Sequence, residues 1–184
     1  MTPPLETARL LLRPLELGDA DQVELLFPQW EIVRLLANHV PWPYPRGTAH
    51  RFYKETALPE VERGNAWYWT LRLKTKPGQV IGSISLNCNE TDNRGFWIAP
   101  QYQRRGLMTE ACDAVTDYWF NVLKFPLLRA PKAVANVASR RISEKQGMRV
   151  VATMERDYVS GRLPAELWEI TREEWNARKS AESG

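Results

Sequence analysis

The spacing of apolar residues along this chain changes several times, and each change predicts an element. Leu10, Leu11, Leu12 and Leu15 make a short β run over residues 10–15, followed by a helical pattern over about residues 19–27 that Asp19 is placed to cap. Pro41, Pro43 and Pro45 interrupt regular structure, because each removes a backbone donor and restricts the residue before it. A loop beside an acceptor site and a purely structural turn both fit that segment. A second helix is predicted from Thr48 to about Arg63, with Phe52 and Leu58 among its inward residues. Three strands follow, over residues 66–73, 80–87 and 94–98. Lys76-Pro77-Gly78 and Asn89-Glu90-Thr91-Asp92-Asn93 connect them with ordinary turn chemistry. A long helix from about Gly106 to Leu123 carries apolar residues at Leu107, Ala111, Ala114, Val115, Tyr118 and Val122. A strand over 127–136, a short helix stopped by Gly147, and strands over 149–158 and 165–171 complete the pattern. Ser160-Gly161 turns between the last two strands, and residues 179–184 read as a frayed tail.

This order predicts an α/β (α+β) fold with a mostly antiparallel sheet. The one parallel pair would be the strand ending at Ile98 and the strand ending at Asn136, linked by the long helix as a right-handed crossover. A chain of 184 residues fits one domain spanning residues 1–184, large enough to bury about 70% of the surface its unfolded form exposes. No repeat or low-complexity tract divides it. At 43% hydrophobic and 26% charged residues it is ordinary for a soluble globular protein. No apolar run approaches the ~20 residues of a membrane span, and no signal-peptide pattern opens the chain, so a cytoplasmic protein is expected.

Charge and cysteine usage narrow the chemistry. A net charge of +3 suits an anionic ligand and falls short of the basic stripe of a nucleic-acid binder. Cys88 and Cys112 fall in a predicted strand and helix without a CxxC partner, which points to buried free thiols. His39 and His50 do not cluster with them, so no metal site is expected. The eight tryptophans are many for this length. Trp67 and Trp69 share one strand face, while Trp30 and Trp42 lie in the less regular early region. Core packing accounts for most of them, and some could wall an acceptor pocket.

One run carries more chemistry than the rest: Gln101-Tyr102-Gln103-Arg104-Arg105-Gly106-Leu107-Met108-Thr109-Glu110-Ala111. It follows the strand Phe96-Trp97-Ile98-Ala99-Pro100 and opens the long helix. Two arginines and a glycine therefore sit where the first unpaired helix N–H groups point outward. Free backbone donors, the positive end of the helix dipole and a residue without a side chain make a phosphate cradle. Further on comes Asn136-Val137-Ala138-Ser139-Arg140-Arg141-Ile142-Ser143-Glu144-Lys145-Gln146-Gly147-Met148, a strand end followed by a short helix and its glycine stop.

In that order these segments resemble GNAT-superfamily N-acetyltransferases, and most closely the ribosomal-protein N-terminal acetyltransferase-like subgroup. Leu5-Glu6-Thr7-Ala8-Arg9-Leu10-Leu11-Leu12-Arg13-Pro14-Leu15 is similar to that subgroup's opening strand, and Gly18-Asp19-Ala20-Asp21 to its first helix start. Trp97-Ile98-Ala99-Pro100 and Gly106-Leu107-Met108-Thr109-Glu110-Ala111 resemble its cofactor motif, and Thr171-Arg172-Glu173-Glu174-Trp175 its closing segment. The resemblance spans roughly residues 5–176. It implies a GNAT-type twisted sheet of about seven strands flanked by about four helices. It also implies that the parallel pair splays apart to admit a pantetheine arm.

The resemblance further implies acetyl-CoA as cofactor and attack of an amine on its thioester. It gives the pyrophosphate the backbone N–H groups of Arg104, Arg105, Gly106, Leu107 and Met108, with Thr109 through its N–H or hydroxyl. The Arg104 and Arg105 side chains could add charge. Met108 stands where the wider superfamily has Gly or Ala, a variant familiar in the ribosomal subgroup. The main chain of Ile98 fits the position that pairs with pantetheine and donates to the developing oxyanion, although ladder bonding satisfies the sequence equally. Asn136 fits the position that bonds the cofactor arm, or simply caps the short helix. Arg141 and Lys145, four apart on one helix face, are candidates for the adenosine phosphate or a solvated basic face. Many relatives place an acidic tyrosine seven residues after the Asn, where this chain has Ser143. A glutamate common before the cofactor motif is replaced by Asn93, with Asp92 beside it. Asn cannot take a proton, so Asp92 or Glu90 would act through water, or the amine arrives deprotonated.

The catalytic candidates are therefore Ser143, Asp92 and Ile98. The expected activity is acetyl transfer to a primary amine of a protein N-terminus or small molecule, by a monomer or homodimer. No nucleic-acid or membrane partner is expected. An acyl-CoA-binding module without turnover, suggested by Asn93 and Ser143, and a small-molecule detoxifying acetyltransferase, suggested by the aromatic early region, are the alternatives.

Overall fold

A computed structural model describes residues 1–182. The N-terminal half forms a five-stranded antiparallel meander: β1 (Leu5–Glu6), β2 (Leu10–Pro14), β3 (Ala66–Leu73), β4 (Gly82–Asn87) and β5 (Arg94–Ile98), in that spatial order. The C-terminal half is a separate three-stranded sheet in which β8 (Gly161–Thr171) lies between β6 (Leu127–Ala133) and β7 (Arg149–Tyr158). The expected parallel neighbours, β5 and β6, share no ladder. They meet where Asn93 N–H donates to Arg129 O (2.8 Å) and Arg129 N–H donates to Asn93 Oδ1 (2.7 Å), and diverge from there. The sheet is split, as the splayed pair required, and its eight strands fall into two groups.

The helices close over this frame. α1 (Ala20–Leu26) and α2 (Trp30–Val33) are followed by α3 (Thr48–Phe52) and α4 (Leu58–Glu62), which a π-helical turn, Tyr53–Ala57, joins. α5 (Leu107–Asp117) runs into a second π turn, Tyr118–Val122, and is followed by α6 (Val137–Lys145) and α7 (Arg172–Glu182). Each π turn adds a residue to the helical period and rotates the buried face. That is why Phe52 and Val122 are 38% and 61% exposed where a regular period turned them inward, while Tyr53, Ala57, Trp119 and Phe120 are buried. The Trp119 indole stacks on Phe125 at 3.9 Å between centroids and donates to Leu127 O (2.8 Å), tying this turn to the start of β6.

Three further expectations change. Asp19 makes no cap to α1; buried, it accepts from Thr70 Oγ1 (3.2 Å) and pairs with the Arg72 guanidinium, because β3 brings that cation beneath the helix start. Cys88 lies just past β4 and is exposed, while Cys112 is buried in α5; both are free thiols. The frayed tail is instead the last turns of α7 through Glu182, and the rest of that tail, 183–184, lies outside the described residues. No described helix is long and apolar enough to cross a membrane.

Candidate active site

The gap between β5 and β6 opens into a cleft of about 1020 Å³ lined by residues of α1, α3, β5 and β6 and by Asn136 and Ser139 at the start of α6; Ile98 and residues 104–109 lie outside that lining. On the side of α1 and α3 its walls are aromatic. Phe27 packs edge-on against both Tyr44 and Trp97, at 5.2 Å in each case. Pro41 and Tyr44 line it, so the proline-rich segment does border the cleft. Trp30 and Trp42 instead pack on each other at the surface, 5.5 Å apart. The segment before that loop bonds the far sheet: Val159 N–H donates to Leu36 O (3.0 Å) and Ser160 N–H to Arg34 O (3.1 Å). This joins the two halves across the cleft mouth.

The cradle lies at the end of β5. A 3₁₀ turn, Pro100–Tyr102, leads into Arg104 at φ 59° and Gly106 at φ 73°, both left-handed. Left-handed residues alternating with right-handed ones turn successive N–H groups to one side, the arrangement that grips anions. Left-handed backbone is strained at arginine and free at glycine. The first intrahelical bond of α5 runs from Glu110 N–H to Gly106 O (3.1 Å), and no side chain caps the helix. The N–H groups of Leu107, Met108 and Thr109 are therefore left over, while the Leu107 and Met108 side chains are buried. Met108 thus contributes its backbone without its side chain crowding the approach. The Arg104 and Arg105 side chains are exposed, and the Arg105 guanidinium stands 5.6 Å from the Tyr102 ring centroid. A bracket that the sequence reading missed fixes this loop. Arg9 donates to Arg105 O (2.9 Å) and to Glu110 Oε2 (2.8 Å), while Glu110 Oε1 also accepts from Arg9 N–H (2.7 Å) and the Thr7 hydroxyl. Burial pushes the Glu110 carboxyl up, but the three donors on it and the Arg9 charge outweigh that and hold the group below its ordinary value.

Ile98 sits one residue before the strand end. Ala99 N–H donates to Ile81 O (2.9 Å), so alternation along β5 turns the Ile98 backbone away from β4 and toward the gap. Its carbonyl accepts from Gln103 Nε2 (3.2 Å), and Ile98 itself lies outside the cleft lining, next to Phe96 and Trp97, which belong to it. Across the gap Asn136 caps α6, its Oδ1 accepting from Ser139 N–H (3.2 Å), and the residue is part of the cleft lining. Arg141 and Lys145 are exposed on α6, away from the cleft lining.

Two candidates for proton transfer are redistributed. Ser143 is fully buried, its Oγ has no partner, and it does not line the cleft, because α6 turns that face into the core with Ile142. Asp92 does line the cleft, paired with Arg156 at 2.9 Å; burial raises its carboxyl and the Arg156 contact opposes that rise. Glu90 is exposed outside the lining. Asn93 is structural: buried, it donates from Nδ2 to Asn87 O (3.2 Å) and Asn89 O and accepts from Arg129, stitching the closed end of the split. The residue that sequence reasoning missed is Lys132 on β6. It is 5% exposed, donates to Ser139 Oγ (2.6 Å), stands 5.2 Å from the Phe96 ring centroid, and lines the gap. Burial, reinforced by nearby Arg94, lowers its pKa to about 7.

A split sheet with a cleft between its halves and an anion cradle at the end of β5 defines an acetyltransferase of the GNAT type. The model of the acetyltransferase (GNAT) domain matches residues 9–149, and the chain belongs to that family. Its relatives are N-acetyltransferases, as it is. Among them YoaA, an uncharacterized N-acetyltransferase of Bacillus subtilis (strain 168), is 30% identical over 153 residues, 80% of this chain and 83% of its own. YdaF, a predicted ribosomal N-acetyltransferase of the same organism, is 31% identical over 100 residues, 52% of this chain and 55% of its own. The fold is that of the ribosomal-protein-S5-alanine acetyltransferase from Vibrio fischeri (TM-score 0.76, 16% identity, 94% and 98% of the two chains covered). It is equally that of RimL, the ribosomal L7/L12 α-N-protein acetyltransferase solved with coenzyme A (TM-score 0.77, 15% identity, 92% and 98% covered).

Proposed function

We propose that this protein transfers the acetyl group of acetyl-CoA to a primary amine by direct attack, the acceptor being a protein N-terminus or a small molecule met in the cytoplasm. The observation that carries this reading is the continuity of two features along one strand. β5 leads into the unpaired N–H groups at the start of α5, suited to a pyrophosphate, and its edge borders the cleft between β5 and β6. The residues present fit the cofactor. The six backbone N–H groups from Arg104 to Thr109 would hold the pyrophosphate, with Arg104 and Arg105 adding charge. Arg141 and Lys145 are free to meet the adenosine phosphate. Asn136, through its amide, would bond the pantetheine arm.

When bound, acetyl-CoA supplies an activated acyl carbon, and the protein's part is orientation and charge. The Ile98 N–H, turned away from β4, would donate to the thioester carbonyl oxygen as it gains negative charge. Asp92 would receive the proton that the amine releases, through a water. Phe27, Tyr44 and Trp97 would exclude solvent around the acceptor's apolar body. Among the described residues Asp92 is the one carboxylate in the cleft lining, and it is committed to Arg156, so a polycationic acceptor is disfavoured.

Thermal unfolding with and without acetyl-CoA tests the cofactor half of this reading. At a hundredfold the dissociation constant the ligand adds about 2.7 kcal/mol, a rise of roughly 5–10 °C for a chain this size. No binding up to millimolar ligand would overturn it. Thiol release with N-terminal peptides and small amines then tests turnover; a bound but unreactive cofactor would leave a binding module.

A further inference from the structure

Lys132 is one of the buried ionisable groups in the cleft, beside Tyr53, Arg94 and Tyr158, that the preceding mechanism leaves unused. It sits on β6 with its ammonium end in the gap, between the Phe96 ring of β5 and the Ser139 hydroxyl of α6. Among the described residues no carboxylate bonds it. The charged and titratable groups around it come from every side: Arg94 on β5, Asp92 in the preceding turn and Cys112 on α5. Asp92 is taken by Arg156. Arg94 is spent on Thr116 Oγ1, Gln146 Oε1 (2.7 Å each) and Met148 Sδ (3.7 Å). Gln146 in turn donates to Asp113 Oδ1 (2.8 Å). Two buried cations therefore face one region in which the nearest acids are already bonded. Burying a cation without an anion is costly, so the site favours a ligand that brings negative charge to Lys132.

We infer that Lys132 is the cationic acid that meets the sulfur of the departing coenzyme A thiolate. The inference rests on the reading that acetyl-CoA threads this gap. Ser139 and Asn136 place Lys132 beside the stretch of gap assigned to the pantetheine arm, and Ser143, where relatives carry a tyrosine, is closed off in the core. In the step, the acceptor nitrogen forms a bond to the acyl carbon and the carbon–sulfur bond breaks, its electron pair going to sulfur. Lys132 gives one proton from Nζ to that sulfur and becomes neutral. The acceptor nitrogen loses one proton to solvent by way of Asp92, and Lys132 regains one from solvent. The sum is amine plus thioester giving amide plus thiol. A lysine poised near neutrality can both give that proton and recover it.

The test needs no acceptor. The thiolate absorbance of coenzyme A bound to the full chain is titrated with pH, subtracting the protein alone to remove Cys88 and Cys112. An ammonium and a thiolate in contact stabilise one another, so the bound thiol should ionise at lower pH than free coenzyme A, by roughly 1 unit or more, while the thiolate raises Lys132 above about 7. Lys132→Met should abolish that depression. Lys132→Arg should keep it, because the cation remains, yet lose acetyl transfer with any reactive amine, because guanidinium does not give up its proton. A thiol that titrates as in free coenzyme A, or one still depressed in Lys132→Met, would overturn the assignment while leaving the family reading intact. Failure of the wild-type chain to bind coenzyme A would overturn both.

Discussion

At the residue scale, the chemistry turns on which end of a side chain is already occupied. Asn136 uses Oδ1 to cap α6 and also belongs to the cleft lining. Asn136→Ala should therefore lower stability by about 1 kcal/mol through the lost cap. It should also weaken coenzyme A binding several-fold through the lost amide, as read by denaturation and calorimetry. Loss of stability with unchanged affinity would reduce Asn136 to a cap. Lys132 gives a pH signature of its own. Its folded pKa, about 7, lies below the ordinary 10.5, so between those values the native state holds fewer protons than the unfolded chain. Stability from this group rises with pH across that window and is lost as pH falls through the folded value. Lys132→Met should flatten the curve between pH 7 and 10.5, and an unchanged slope would mean the lysine is hydrated. Asn136 was legible in the sequence because its motif is local. Lys132 was not: a single lysine in a strand reads as an exposed one until β5, α5 and α6 are packed over it.

At the scale of elements, the β5–α5 junction was the most legible part, since strand, glycine and helix start are contiguous. Its rigidity was not legible. Arg9 and Glu110 stand far apart in sequence, and only the placement of β2 beside α5 joins them. Arg9 holds the Arg105 carbonyl, and a built Cβ on Gly106 would stand 3.4 Å from Arg9 Nη2. Arg9→Ala should lower acetyl-CoA affinity without loss of fold by circular dichroism, because it removes preorganisation of the loop and no ligand contact. Gly106→Asp should be more severe, adding a carboxylate beside the pyrophosphate site to a side chain at φ 73°. Affinity untouched by both changes would place the phosphates elsewhere. The two π turns were also invisible to a regular helical period, which is why the inward assignments of Phe52 and Val122 failed while those at Leu107, Ala111 and Val115 held.

At the scale of the whole molecule, function depends on a sheet that separates along one seam and stays closed at one end. Hydrophobic alternation could supply the strands but not the seam, because a splayed edge and a paired edge carry the same side-chain pattern. What fixes the end of the seam is polar. Asn93 bonds Asn87 and Asn89 on one side and exchanges two bonds with Arg129 on the other, so both sheets are fastened to a single buried side chain and its backbone. Its position next to the turn suggested a lost catalytic base, whereas its geometry makes it the hinge of the split. Asn93→Ala keeps the backbone contact but strands the Arg129 N–H and two carbonyls. Leaving such groups unsatisfied should cost about 1–3 kcal/mol, read as a lower urea midpoint with an unchanged slope. Because the cleft begins at this fastening, the same variant should bind acetyl-CoA less tightly although Asn93 lies outside the cleft lining. A midpoint that does not move would mean the Asn93–Arg129 backbone bond alone closes the seam.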